Sequence, residues 1–140
     1  MSFIRATATA TFRSDLGQFI AGKITPAVRA GVEAFGNLVL EESQALVPVD
    51  TGELKASGSV VIVETDKTVR AEIVYSAGHA AYVEFGTGIR GASSAGAGPY
   101  NYSPTWPGMV AQPYLRPALD AAREAGKALF NSQVAAAFRF

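Results

Sequence analysis

Between Thr25 and Pro48, the apolar residues Val28, Val32, Phe35, Val39 and Leu46 recur at helical spacing, with Glu42 interrupting the stripe. That period dictates an amphipathic helix with one buried face. Pro26 suits a first helical turn, where its missing N–H would be unpaired anyway, so Thr25-Pro26 predicts the helix start. Pro48 predicts its end, because a proline there can neither donate nor sit behind a helical residue without a clash.

The segment that follows changes period. PVDTGELKASGS is a turn rich in Asp, Gly and Ser. It leads to Val60–Val63, a polar group Glu64-Thr65-Asp66-Lys67, and then Val69–Tyr75. Two β-branched runs about a short polar turn predict an antiparallel hairpin. Gly78–Phe85 is short, apolar and aromatic, and fits either a strand or one helical turn. Leu115, Leu119, Ala122, Gly126, Leu129 and Phe130 mark a second amphipathic helix entered through Pro113 and Pro117, with Ala122, Ala125 and Gly126 small enough for close packing. Residues 86–112 are rich in Gly, Ala, Ser and Pro, with Arg90 the one charge, and predict a long loop. In residues 1–12, Ile4, Ala6, Ala8, Ala10 and Phe12 alternate with threonines, which fits a strand or an arm. Ser14 and Asp15 could cap a short helical turn carrying Leu16, Phe19 and Ile20. No internal repeat is visible. The expected fold is α+β over residues 1–140 as a single domain. An antiparallel β-hairpin or sheet is packed by a long helix in the N-terminal half and a C-terminal helix, with a long Gly/Pro-rich loop between.

Composition narrows function by exclusion. The 140 residues carry 12 basic and 12 acidic groups, one His and no Cys. Zero net charge and scattered basic residues argue against a nucleic-acid grip by bulk electrostatics. Without Cys there is no disulfide framework, thiolate metal site or cysteine nucleophile, and one His cannot build a His cluster. No apolar run reaches the roughly 18–20 residues needed to span a bilayer, and the N-terminus lacks the apolar core of a signal peptide. The expectation is a small, soluble, intracellular domain.

Three short patterns resemble catalytic motifs. Gly17 to Lys23 has the spacing of a phosphate-binding loop, but Ile24 stands where a magnesium-binding Ser or Thr is needed, and Phe19-Ile20 reads as a buried helical face. Gly86-Thr87-Gly88-Ile89-Arg90-Gly91 is formally G-x-G-x-x-G, yet the ASSAGAGP that follows predicts no helix to meet a pyrophosphate. Asp50-Thr51-Gly52 is the tripeptide of aspartic proteases, in which two carboxylates share a proton. One copy per chain would require a dimer. Here the tripeptide follows a helix and Pro48, so a turn closed by Asp50 and relaxed by Gly52 is the preferred reading. His79 has no nucleophile partner near it in sequence. Glu84 is either a buried, paired carboxylate or the exposed side of a strand. Arg116 is placed to meet a carboxylate or an anion at the entry to the last helix.

Three ordered segments change the picture. They are Pro48-Val49-Asp50-Thr51-Gly52-Glu53-Leu54 with Ser57, then Ala81-Tyr82-Val83-Glu84-Phe85-Gly86-Thr87, then Pro113-Tyr114-Leu115-Arg116-Pro117-Ala118-Leu119. Together they resemble the tail-component family of long-tailed bacteriophages, also called neck or head–tail joining proteins, over residues 26–130. In that family a long helix leads to a P-V-D-T-G-x-L turn, a hairpin follows, and E-F-G-T precedes a P-F-L-R-P-A helix entry. Glu53 stands where a basic residue is common, Tyr114 replaces Phe, and the 87–113 connection is longer and richer in Gly.

The resemblance implies a structural virion part with no catalytic site and no cofactor. It would be assembled in the host bacterial cytoplasm as a ring, six copies by expectation, around the channel through which DNA passes as cargo. Its partners would be itself, head-side connector or stopper proteins, and tail terminator or tail tube proteins, with no membrane. A tail-terminator or tail-completion ring capping the tail tube is the alternative within virion structure. A dimeric aspartic protease using Asp50-Thr51-Gly52 is the alternative of another class, and an anion-binding or nucleotide-binding module through Gly22-Lys23 or the Gly86–Gly91 loop is a third. The motif residues are expected to shape the fold, with Glu84 pairing with Arg116. Tyr100, Tyr102, Trp106 and Met109 in the loop, with Phe138 and Phe140, are the candidate interface residues.

Overall fold

The β-branched runs on either side of Thr65 pair as the hairpin. Strand β2 (Gly58–Glu64) runs antiparallel to β3 (Thr68–Tyr75), with Gly58 opposite Tyr75 and Glu64 opposite Val69. The turn is tightened by Thr65, whose backbone N–H donates to the Thr68 carbonyl at 2.8 Å and whose hydroxyl meets that of Thr68 at 2.7 Å. The structure, a computed structural model, describes residues 6–13, 18–65 and 68–137. Strand β1 (Ala6–Arg13) pairs antiparallel with the other edge of β3, Ala6 opposite Tyr75 and Arg13 opposite Thr68. The sheet order is therefore β1-β3-β2, with β3 hydrogen-bonded on both sides.

Alternation along β3 sets the layers. Val69, Ala71, Ile73 and Tyr75 are all buried on one face, while Arg70 and Glu72 point the other way and pair at 2.9 Å. Helix α1 (Gln18–Leu46) and helix α5 (Leu115–Ala136) cover the buried face, which makes a two-layer α+β arrangement. Val28 and Val32 of α1 meet Val69 and Ala71, with Phe130 and Val134 of α5 closing that end. Val39, Ile73, Tyr75, Tyr114 and Leu115 form the larger cluster at the other end. The two helices touch through glycines. A Cβ on Gly126 would lie 2.8 Å from the Phe35 ring, and one on Gly31 would lie 2.6 Å from that of Phe130. Each ring thus occupies the space a side chain would take. Ala122 shares this seam, whereas Ala125 is exposed and takes no part in it.

Two expectations need correcting. Helix α1 does not start at Thr25-Pro26. It begins at Gln18 and continues through Pro26, so the residues from Gln18 to Lys23 of the apparent phosphate loop are helical. Pro26 deprives the Gly22 carbonyl of its donor, but the flanking turns continue on either side. The Ser14-Asp15 cap lies outside the described residues. Residues 86–112 are also not one loop, because helix α4 (Gly88–Ser93) opens them. It begins inside the G-x-G-x-x-G pattern, where no helix was expected, and spans only six residues. Gly78–Phe85 resolves as a helix, α3 (Ala80–Phe85), rather than a strand. The turn after Pro48 contains a further single helical turn, α2 (Glu53–Ala56), whose Leu54 is buried.

Candidate functional site

The first turn of α5 sets the requirements of the site. The leading N–H groups of any helix lack intrahelical partners, and the helix dipole places positive charge beside them. At α5 the cap position is Tyr114, whose side chain makes no capping bond. The acceptor comes from 30 residues upstream in sequence. Glu84 on α3, 1% exposed, receives the backbone N–H of Tyr114 (2.8 Å) and Leu115 (3.0 Å) on Oε2 and that of Arg116 (3.1 Å) on Oε1. Arg116 Nε donates to the same Oε1 at 3.0 Å. A buried carboxylate is costly unless paired and hydrogen-bonded, and here both conditions hold.

Arg116 extends this junction. Its guanidinium lies 4.6 Å from the Phe85 ring centroid, and Nη2 donates to the Gly96 carbonyl at 2.8 Å. Phe85 in turn takes Tyr100 edge-on at 5.3 Å. Beneath the carboxylate, Tyr114 donates from its hydroxyl to the Ala80 carbonyl (2.9 Å) and packs edge-on against Tyr75 at 4.9 Å. The Tyr75 and Ser43 hydroxyls meet at 2.6 Å, and Ser43 donates to the Leu40 carbonyl at 2.8 Å. Burial pushes both tyrosines above the ordinary phenol value of 10.0, with the Glu84 carboxylate adding to the effect. For Tyr75 the Ser43 hydrogen bond acts in the opposite direction.

The E-F-G-T segment closes the chain that follows it. Thr87 and Met109 exchange backbone hydrogen bonds, N–H to O, at 2.9 and 3.0 Å, and the Met109 N–H also reaches the Thr87 hydroxyl at 3.0 Å. Ile89 and Arg90 donate to the Trp106 and Pro107 carbonyls at 2.8 and 2.9 Å. Gly86, at φ 74°, has no room for a side chain, since a Cβ would lie 2.7 Å from both Ala111 N and Gly91 Cα. Tyr102 acts as a latch: its hydroxyl accepts the Gly98 N–H at 2.6 Å and donates to the Phe85 carbonyl at 2.9 Å.

The remaining motif residues lie in the turn after α1 and in the first turn of α5. Pro48 follows the end of α1, and Gly52, at φ 83°, leads into α2. Ser57 caps that turn by donating to the Leu54 carbonyl at 2.8 Å. Asp50 and Thr51 are exposed in this turn, and the Thr51 hydroxyl accepts the Glu53 N–H at 3.3 Å. His79 is exposed at the start of α3. Leu115 and Ala118 are buried, while Pro117 lies exposed in the first turn of α5. Among the described residues there is no group of three or more His, Asp or Glu that could hold a metal ion, and no helix is long and apolar enough to cross a membrane.

The interface candidates divide. Tyr100 and Trp106 are 53% and 56% exposed. Tyr102 and Met109 are instead engaged within the chain, by the latch and by the Thr87 pairing. Phe138 and Phe140 lie outside the described residues. Val49, Tyr82, Ile89 and Val110 also stand exposed, which their sequence context did not signal. Two clefts open side by side and share Tyr82, Thr87 and Trp106. One, of about 410 Å³, runs between Tyr82 and Tyr100. The other, of about 590 Å³, has the Pro48–Leu54 turn as its far wall.

The family model described as "Bacteriophage HK97-gp10, putative tail-component" matches residues 10–86, just over half of the chain. The chain belongs to this phage tail-component family. The match starts upstream of the 26–130 span suggested by the motifs and ends within E-F-G-T, before Pro113-Tyr114-Leu115-Arg116. Glu84 therefore ties the matched region to the helix beyond it. No curated protein and no solved structure matches the chain. As a member of the family the protein is a structural component of the bacteriophage virion, made to contact other virion proteins.

Proposed function

We propose that the protein acts at the neck of the phage, joining the DNA-filled head to the tail as a ring of copies around the DNA channel. Assembly in the host cytoplasm would precede joining, with a head-side connector on one face and a tail terminator or tail tube on the other. The observation that carries this reading is the exposed aromatic surface around Tyr82, Tyr100 and Trp106 in a chain of the tail-component family. Large aromatic side chains left in water beside a cleft mark protein–protein contact sites, and Trp and Tyr dominate the binding energy of such contacts. Copies joined by a contact between two different surfaces close into a ring when the rotation between them allows it. The role requires no catalytic group, and the Asp50-Thr51-Gly52 turn serves the path of the chain from α1 into α2.

Electron microscopy of particles from a producer strain with the gene inactivated tests this reading. DNA-filled heads beside separate, full-length tails are expected. Tails of uncontrolled length would move the protein to the tail terminus, and complete infectious particles would contradict both roles. Peptide cleavage at acidic pH that Asp50→Asn abolishes would overturn the non-catalytic reading.

A further inference from the structure

The larger cleft combines two features. Its lining is apolar and aromatic at Tyr82, Trp106 and Met109, and its charged residues are Asp50 and Glu53, with His79 beside them and no Lys or Arg. Among the described residues neither carboxylate has an ion pair. The complementary chemistry is a cation set between apolar rings, and the chain contains one such run, Phe138-Arg139-Phe140, after α5. We propose that this segment of one copy docks in the cleft of the next, its rings against Trp106 and Tyr82 and Arg139 at the Asp50–Glu53 rim. Edge-on ring packing and a guanidinium facing carboxylates and an indole are each favourable, more so once water is excluded.

Geometry assigns the contact to a second copy. The cleft includes Gln112, beside the start of α5, whereas the segment follows its far end. A helix of 22 residues is about 33 Å long at 1.5 Å per residue. Three extended residues reach only about 10 Å. The cleft and the segment that fills it are therefore two different surfaces, so the contact is head-to-tail and propagates around a ring. The inference rests on the ring assembly proposed above and names the contact that would build it.

The test uses a peptide of residues 131–140, NSQVAAAFRF, added to the full chain carrying Phe138→Ala and Phe140→Ala so that its own segment does not compete. Trp106 is the sole tryptophan, so its emission reports occupancy of the cleft directly. A blue shift on peptide addition is expected, and a peptide with Arg139→Glu should bind about tenfold more weakly, equivalent to about 1.4 kcal/mol. Asp50→Lys with Glu53→Lys in the receiving chain should reverse that preference. An unchanged Trp106 emission, or equal binding of the native and charge-reversed peptides, would overturn the proposal. The comparison of native and charge-reversed peptides needs only the Phe138→Ala, Phe140→Ala chain, whose two changes lie after α5, and not the Asp50→Lys, Glu53→Lys chain. Separated heads and tails without peptide binding would keep the neck role and discard this contact. Peptide binding with complete infectious particles would do the opposite.

Discussion

Replacing Glu84 by Gln keeps the side chain's volume and removes only its charge and one acceptor. In the native junction each carboxylate oxygen accepts two donors, Tyr114 and Leu115 N–H on Oε2 and Arg116 N–H and Nε on Oε1. An amide must turn its NH2 toward one of these pairs. The less costly choice faces Arg116, whose side chain is 49% exposed and can turn its Nε to water. The Arg116 backbone N–H is then left facing a donor, a loss of about 1.5–3 kcal/mol for a hydrogen bond to a charged group. Losing the negative charge at the helix N-terminus adds about 0.5–1 kcal/mol. The expected destabilisation is about 3 kcal/mol, or roughly 10 °C in Tm for a chain of this size. Urea unfolding followed by circular dichroism measures the total. Amide hydrogen exchange at Tyr114, Leu115 and Arg116 locates it, with faster exchange expected at Arg116 first. A loss below about 1 kcal/mol, or exchange unchanged at all three amides, would refute the capping argument.

Three further outcomes follow from the same junction. Tyr75 and Tyr114 hold their protons in the folded state above the value of 10.0 at which the unfolded chain releases them. Stability should therefore be level through neutral pH and fall as pH rises past about 10, where the unfolded state binds fewer protons. Tyr75 and Tyr114 should then resist ultraviolet titration until the protein unfolds, and ionisation of both before unfolding would contradict this. Gly86→Ala should destabilise far more than Gly52→Ala. Both carry positive φ, but a Cβ at Gly52 meets nothing within 4 Å, so its cost is the left-handed penalty of about 1–2 kcal/mol. Equal costs in thermal melts would refute the crowding at Gly86. Tyr102→Phe removes two hydrogen bonds of the latch and should cost about 1–2 kcal/mol. Proteolysis between residues 94 and 109 should quicken with it, and an unchanged cleavage rate would show that the latch does not hold the segment.

What the sequence made legible is what period and charge encode. The hairpin follows from β-branched runs about a polar turn, and α5 from its apolar stripe and proline entry. Glu84 and Arg116 could be offered as a pair because each sits in a recognisable segment. Other features leave no such trace. A proline within a helix reads as a start, so α1 seemed to begin at Pro26 although its first turns lie upstream. Residues 86–112 looked featureless because the bonds that close them, from Thr87, Ile89 and Arg90 to Met109, Trp106 and Pro107, run between backbone atoms. For the same reason Tyr102 and Met109 resembled interface residues while serving the chain's own closure. That Glu84 serves three backbone N–H groups as well as Arg116 is also a fact of tertiary structure. The paired side chains hint at it, and no residue type marks the amides.

The central claim is a place in the particle, and immunogold labelling of this chain on intact virions tests it most directly. Gold confined to the junction between head and tail is the predicted result. Gold spread along the tail or confined to its far end would contradict the neck assignment, and unlabelled particles in a lysate whose free protein the same antibody detects would contradict a virion role altogether.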